Sequence, residues 1–337
     1  MATMRAVDIH GGKGPISALF INESTPKPTA TGSQALVKIK AFGLNRMDLL
    51  QREGLYPVPP QASSILGVEF SGTIESFGKE PERGFKVGDE VFGLAYGGAY
   101  AEYIAVSTHM LIHKPKELSW VQAAGIPETW ITATQALYLI GEFKPGKSVL
   151  WHAGASSVSI AGIQLAKADG ASAVYVTASS QDKIDFTKTL GATEGFNYKT
   201  GDWAQELLKY TDGKGVDLIV DFIGAGYFDQ NLEAAARDGH IVNLGHLGGT
   251  VVQKPLDISR FLRKRLRYEG SSLRSRDEAY QGKLRDTLVE HALPKFIDGS
   301  FTVPIEKVFK FTAKDVQAAH ELLNSNQTKG KLIVEFD

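Results

Sequence analysis

Two rhythms of apolar and polar residues divide the chain. Over the first third, "ALVKIKAFGLN", "GVEFSGTIESFG", "KVGDEVFGLA" and "AYAEYIAV" alternate apolar with polar positions and are broken by Gly and Pro, the period of half-buried strands. The amino terminus, "MATMRAVDIH", enters the same strand-like pattern directly, and "YPVPPQASS" reads as a loop. "SWVQAAGIPETWITATQALYLI" is the first long helical pattern, with Pro127 inside it as a break or a helix start.

From Ser148 the pattern becomes strand–helix alternation. "SVLWHAG" predicts a strand, "VSIAGIQLAKADG" a helix, "SAVYVTA" a strand and "SQDKIDFTKTLGA" a helix. After the short "GFNY" follow the helix "WAQELLKYT", the strand "GVDLIVDFIG", the helix "YFDQNLEAAARDG" and the strand "HIVNLG". These strands are almost wholly apolar, as when helices cover both faces of a parallel sheet, so the segment predicts a doubly wound α/β domain. The tail returns to strand–helix–strand; Thr312 and Asp315 predict a capping box opening a helix with Val316, Ala319 and Leu323 on one face. The expected organisation is a β-rich domain, residues 1–125 and 274–337, interrupted by a Rossmann domain at residues 126–273.

Composition narrows the chemistry. The 337 residues suffice for two full cores, and a formal charge of −1 offers no global attraction to nucleic acid or anionic membranes. There are no cysteines, which removes disulfides, thiolate nucleophiles and every Cys-ligated metal site. No apolar run reaches membrane-spanning length and the amino terminus lacks a signal pattern, so the expectation is a cytoplasmic protein without a membrane partner.

The stretch "WHAGASSVSIAGIQLAK" looks like the start of a dinucleotide-binding βα unit, yet it reads Gly154, Ser156 and Ser159 where such turns carry glycines, with Ser157 between. A serine forced to positive φ costs on the order of 1–2 kcal/mol, whereas a micromolar ligand is held by about 8 kcal/mol. Binding is therefore weakened rather than abolished, and serine hydroxyls add donors at a helix N-terminus suited to phosphate. The bland alternative is a buried βα turn without a ligand. The next strand, "VYVTASSQDK", has no acid to grip a ribose 2′-hydroxyl; Ser179, Ser180 and Lys183 instead offer space, hydroxyls and a cation for a 2′-phosphate. This favours NADPH over NADH, against the commoner fate of a lone lysine on a solvated helix face.

Jointly, "GVEFSGTI", "KVGDEVFGL", "GGAYAEYI", "IPETWITATQAL" and the turn itself resemble the medium-chain dehydrogenase/reductases. "NRMDLLQREGLYPVPP", "GATEGFNY" and "SSLRSRD" resemble the zeta-crystallin-type quinone oxidoreductases, closest to the tumour-suppressor-inducible branch, and the match runs from Met4 to the carboxyl terminus. The resemblance implies a Rossmann doubly wound parallel sheet inserted into a GroES-like β-rich catalytic domain. Zinc-dependent members use cysteines and a His in a "GHE" segment; here the segment is Gly67-Val68-Glu69. Without a Lewis acid an alkoxide lacks stabilisation, whereas reduction of a quinone or conjugated enone remains feasible. The expected function is a zinc-independent NADPH:quinone reductase.

The resemblance also implies site residues. Asn45, Asp48 and Tyr56 line the cleft beside the nicotinamide: Tyr56 as a donor or stacking ring, Asn45 as a polar orienter, Asp48 more simply as a helix cap. Thr129 and Thr134 touch the nicotinamide ribose or amide. Ser156, Ser157 and Val158 hold the pyrophosphate, Ser179 and Lys183 the 2′-phosphate, and Tyr198 lies on the adenine side. Phe222, Leu244 and Gly245 sit beneath the nicotinamide half, Ser272 and Leu273 follow on the last strand, and Lys331 reaches the cofactor from the tail. Close relatives keep "SGVG", so Ser157 and Ser159 are departures.

Such proteins are commonly homodimers, and "RLRYEGSSL" is the candidate edge strand, with an unpaired edge guarded by arginines as the alternative. Two further functions stay open: an alkenal or enoyl reductase, and an NADPH-sensing RNA-binding protein. The second is motivated by the altered turn and the basic cluster "RFLRKRLR", Arg260 to Arg267, although a solvated face is the commoner reading of such a cluster.

Overall fold

The computed structural model describes residues 2–79 and 83–337. Along the chain the first elements are β1 (Thr3–Ile9), β2 (Leu19–Pro26), β3 (Gln34–Gly43), α1 (Arg46–Arg52), β4 (Glu69–Phe77), β5 (Glu90–Leu94), β6 (Tyr103–Ser107), β7 (Leu111–His113), α2 (Trp120–Ala124) and α3 (Pro127–Thr134). The alternating middle comprises β8 (Ser148–Trp151), α4 (Ser157–Ala168), β9 (Ala173–Ala178), α5 (Gln181–Thr189), β10 (Glu194–Asn197), α6 (Trp203–Tyr210), β11 (Val216–Asp221), α7 (Phe228–Ala234), β12 (Ala235–Asn243), α8 (Ser259–Lys264) and β13 (Arg267–Gly270). The tail adds α9 (Glu278–His291), α10 (Leu293–Ile297), β14 (Ile305–Lys310), α11 (Ala313–Asn324) and β15 (Lys331–Glu335). The chain divides into two compact units, residues 1–131 with 274–337, and residues 132–273.

In the β-rich unit, one sheet runs β14-β15-β3-β4-β5-β7, and β6 pairs with the first half of β3 while β15 pairs with its second half. The tail strands therefore complete the sheet begun by the amino-terminal third, as the GroES-like expectation requires. Phe42, Phe70, Phe92 and Tyr100 are fully buried in this unit. Thr312 caps α11 by accepting from the Asp315 N–H at 3.1 Å, and Val316 and Ala319 are buried. Pro127 is the first residue of α3, so it starts a helix there rather than kinking one.

The second unit is a six-stranded parallel sheet in the order β10-β9-β8-β11-β12-β13. The order reverses at β8 and β11, the arrangement whose carboxyl-end crevice takes nucleotides. Leu150, Ile219 and Ile241 of the sheet pack against Trp203 and Leu207 of α6 and Leu232 of α7. One expectation needs correction. The helix predicted through "YFDQNLEAAARDG" stops at Ala234, and Ala235 is already extended (φ −65°, ψ 138°) and paired with Val216 of β11. The strand then bulges before His240 pairs with Leu218, with Asp238 at φ 63°. The alanines suit a helix, but sheet pairing of Ala235 wins locally.

Candidate active site

The nucleotide turn follows β8. Gly154 crosses β9 so closely that a Cβ would stand 2.6 Å from Val176 Cβ, and its N–H donates to the Thr177 carbonyl at 2.8 Å. Ser156 is the N-cap of α4, with φ −74° and ψ 152°. Neither it nor Ser159, inside the helix, needs a left-handed backbone. The positive φ of this turn falls on Ala153, at 49°. Ser159 is fully buried, and its hydroxyl donates to the His152 carbonyl at 2.8 Å. The third glycine of such turns lets the helix pack closely on the strand, and here that close packing occurs one turn later, at Gly162. A Cβ on Gly162 would stand 2.0 Å from Trp151 Cζ2. The serine substitutions thus fall where serine is unstrained. Ser157 and Val158, first in α4, present N–H groups without intrahelical acceptors, so the turn fits a pyrophosphate.

The remaining predicted cofactor residues of this unit, Thr134 apart, follow the carboxyl ends of its strands. Ser179 and Lys183 are half-buried after β9. Ser180 caps α5 by accepting from the Lys183 N–H at 3.4 Å. Tyr198 is 41% exposed, its N–H donates to the Ala178 carbonyl at 3.2 Å, and its ring meets Tyr227 edge-on at 6.3 Å. Buried Asp221, at the end of β11, accepts from the N–H groups of Ile223 (2.7 Å) and Gly224 (3.1 Å) and from Asn243 Nδ2 (3.0 Å). Asn243 also donates to the Gly245 carbonyl at 3.0 Å. This link fixes the loops carrying Phe222, Leu244 and Gly245. Past β13, Ser272 is exposed and Leu273 buried, and Thr134 is buried at the end of α3.

Sequence reasoning missed His152 beneath the turn. Its Nε2–H donates to Asn231 Oδ1 (2.7 Å) and its Nδ1 accepts from the Thr177 hydroxyl (2.9 Å). Burial holds the imidazole below its usual pKa, and hence neutral.

The β-rich unit holds a buried polar cluster. Gly43 on β3 leaves room for the Glu69 carboxylate, which a Cβ there would approach to within 2.3 Å. Glu69 accepts from Asn45 Nδ2 (2.9 Å) and from the Glu128 N–H (2.9 Å), and it forms an ion pair with Lys331. The Lys331 ammonium also donates to Asn45 Oδ1 (2.8 Å) and the Leu44 carbonyl (3.2 Å). Asn45 is thereby clamped at both ends of its amide. The Lys331 ammonium is held inside this unit by these contacts.

Asn45 is the N-cap of α1, and Asp48, at the third helical position, closes the capping box, its Oδ2 accepting from the Asn45 N–H (2.8 Å) and the Tyr100 hydroxyl (3.2 Å). Tyr100 in turn lies 3.4 Å from His320 Nε2, and Arg52 donates to His320 Nδ1 at 3.0 Å. Arg52 can only donate, so the imidazole proton sits on Nε2 and points to Tyr100. Burial, reinforced by the Arg52 charge, pushes His320 down to about 3. Burial pushes Asp48 up to about 6. Glu128 is pushed up to about 7 by burial and, next, by the charge of Glu69. The cluster therefore carries two carboxyls able to hold a proton near neutral pH. Neither Glu128 nor His320 shows a sequence signal of this; only the "IPETW" segment drew attention to the first.

Tyr56 is half-buried and lies under the Arg274 guanidinium, 5.3 Å from ring centroid to Cζ. The Thr129 hydroxyl donates to the Gly125 carbonyl of its own helix approach at 3.1 Å. Among the described residues no group of three or more His, Cys, Asp or Glu is placed to hold a metal ion. None of their helices is long and apolar enough to cross a membrane. The basic cluster is largely neutralised. Arg260 pairs with Asp229, Arg263 with Asp257, Arg265 with Asp238 and Arg267 with Glu142, while Lys264 donates to the carbonyls of Leu232, Glu233 and Ala235.

Comparison with known proteins places this geometry. Residues 31–116 match the family model of the alcohol dehydrogenase GroES-like domain, and residues 157–289 that of zinc-binding dehydrogenase. The chain is 32% identical to a zinc-type alcohol dehydrogenase-like protein of Schizosaccharomyces pombe, over 90% of this chain and 91% of that protein. It is 31% identical to quinone oxidoreductase 1 of Escherichia coli over 99% of both. The solved CurK enoyl reductase superposes with a TM-score of 0.84 at 26% identity, covering 100% of both chains. A dehydrogenase fold of this kind implies a nicotinamide cofactor, and the residues of the turn fit one. By full-length similarity, both domain matches and strand order, the chain is an oxidoreductase that belongs to the medium-chain dehydrogenase/reductase family.

Proposed function

We propose that the protein is a zinc-independent, NADPH-dependent quinone oxidoreductase. The observation that carries this is Val68. It stands at the His position of the "GHE" segment, and the carboxylate of the neighbouring Glu69 is spent on Lys331, Asn45 and the Glu128 N–H. With no cysteine in the chain, the donor set for a Lewis acid is missing, so the acceptor must itself be activated toward hydride. NADPH supplies that hydride when bound. Ser157 and Val158 amides hold its pyrophosphate, and Ser179 with Lys183 selects the 2′-phosphate. In the β-rich unit Asn45 is locked by Lys331 and Glu69, Tyr56 offers a ring face, and Asp48 and Glu128 are able to hold a proton for return to the reduced acceptor.

A second reading, reduction of α,β-unsaturated carbonyls, is favoured by the likeness to an enoyl reductase. It needs the same hydride transfer. Steady-state NADPH oxidation against a quinone panel and an enone panel separates the two: the quinone reading requires the higher kcat/KM with quinones, and fails if only enones are turned over.

The proposal includes a homodimer. β13 is the outer strand of its sheet, and a two-fold axis through Tyr268 would set Arg267 of one copy opposite Glu269 of the other. A monomeric mass in sedimentation at micromolar concentration would exclude this.

A further inference from the structure

Four lysine or arginine residues are buried among the described residues: Arg52, Arg274, Arg285 and Lys331. Three of them have a carboxylate partner: Arg52 with Glu53, Arg285 with Asp286, Lys331 with Glu69. Arg274, only 5% exposed, has neutral hydrogen-bond partners alone. Its Nε donates to the Tyr96 carbonyl (2.7 Å) and its Nη1 to Gln51 Oε1 (2.8 Å), while Nη2 is buried without a hydrogen-bond partner. Gly97 borders that nitrogen; a Cβ there would stand 3.4 Å from it. The face of the guanidinium is covered by Tyr56, which lies between exposed Leu55 and Pro57 in a loop. Its charge is felt by the Asp48 and Glu128 carboxyls, neither within ion-pair distance, and a buried N–H without an acceptor is costly unless a ligand completes it. Two of its three nitrogens are fixed, so the third is pre-aimed, which is what stabilisation of a developing charge requires.

We propose that Arg274 receives the acceptor oxygen that becomes negative on reduction, the flat ring of the acceptor taking the place of Tyr56 on the guanidinium. This rests on the reductase reading and narrows its substrate class to planar acceptors whose reduced form is a phenolate-like anion. In that step a hydride leaves the dihydronicotinamide, which is oxidised to the nicotinamide cation. The quinone gains the hydride and its two electrons and becomes the hydroquinone monoanion. Its anionic oxygen rests on Nη2 and then takes the proton held by Asp48 or Glu128, which is replaced from solvent.

The test compares wild type with Arg274→Met and Arg274→Lys. Three readouts are used: turnover of 1,4-naphthoquinone, calorimetric binding of 2-hydroxy-1,4-naphthoquinone (an anion at neutral pH), and NADPH affinity. Arg274→Met is expected to lose roughly 100-fold in kcat/KM and at least ~10-fold in affinity for the anion. NADPH affinity should stay within about twofold. Arg274→Lys, which keeps the charge, should recover part of the anion affinity. If Arg274→Met fails to fold, Arg274→Lys alone decides, by whether loss of the fork weakens the anion while sparing NADPH. Unchanged anion binding in the folded variants, or no anion binding by wild type, overturns the proposal. Anion binding that depends on Arg274 without turnover of any quinone or enone would sink the reductase reading and leave this assignment standing.

Discussion

The Lys331 ammonium and the Glu69 carboxylate form an ion pair inside the β-rich unit, with both side chains all but sealed from solvent. The pair joins β15 of the tail to β4 of the amino-terminal third, and both members also hold Asn45. Removing one partner leaves a buried charge uncompensated. Lys331→Met is therefore expected to cost about 3–5 kcal/mol of unfolding free energy, and the double variant Lys331→Met with Glu69→Leu to recover most of that. Urea denaturation of both reads the difference. Equal losses in single and double variants would mean the pair is not coupled.

The packing of Gly162 against Trp151 yields a second expectation. Gly162→Ala forces a Cβ to 2.0 Å from a fully buried ring, so α4 must shift, at about 3 kcal/mol or somewhat more. Because α4 carries Ser157 and Val158 at its start, NADPH affinity should fall with it. Ser159→Gly supplies the glycine of the dinucleotide-turn pattern but loses the 2.8 Å bond to the His152 carbonyl and adds glycine to a helix. It should destabilise by about 1–2 kcal/mol without tightening NADPH. Calorimetric titration of the two variants checks the contrast.

These two sites mark how far the sequence could be read. Period-2 alternation in the first third, and apolar strands alternating with helices afterwards, located both sheets, because they follow directly from which faces are covered. The turn after β8 was found, but its strain was put on the wrong residues: backbone dihedrals are not visible in residue types, and the left-handed position is taken by Ala153. The end of α7 was missed because alanine helix propensity is weak beside a strand pairing that only three dimensions reveal. The resemblance names Asn45 and Asp48, whereas Glu128 and His320 reach the same cluster through contacts between residues distant in sequence. No spacing encodes those contacts.

Glu128 should leave a signature in the pH dependence of stability. Its carboxyl is raised from 4.5 to about 7 by burial and by the Glu69 charge, so the native state binds the proton more tightly than the unfolded chain. The stabilising contribution is complete below pH 4.5 and is lost as pH rises through about 7. His320 and His152 are depressed and act in the opposite direction as pH falls. The effect is thus isolated by comparison: wild type minus Glu128→Gln in melting temperature should decline between pH 5 and 8. A flat difference would place the Glu128 carboxyl in solvent.

Ser179 tests cofactor choice. An aspartate there would repel a 2′-phosphate and accept from a ribose 2′-hydroxyl. Ser179→Asp is expected to weaken NADPH by at least ~10-fold and to leave NADH equal or tighter. Fluorescence titration with both cofactors would show it, and a variant with unchanged preference would remove Ser179 from the 2′-phosphate site.

The central claim is that a serine-bearing turn still grips a phosphorylated dinucleotide. Titration calorimetry of NADPH and NADH into folded wild-type protein tests it directly. The expected result is a micromolar dissociation constant for NADPH, about 8 kcal/mol, with NADH at least ~10-fold weaker. No heat with either dinucleotide, in protein shown by circular dichroism to be folded, would contradict it.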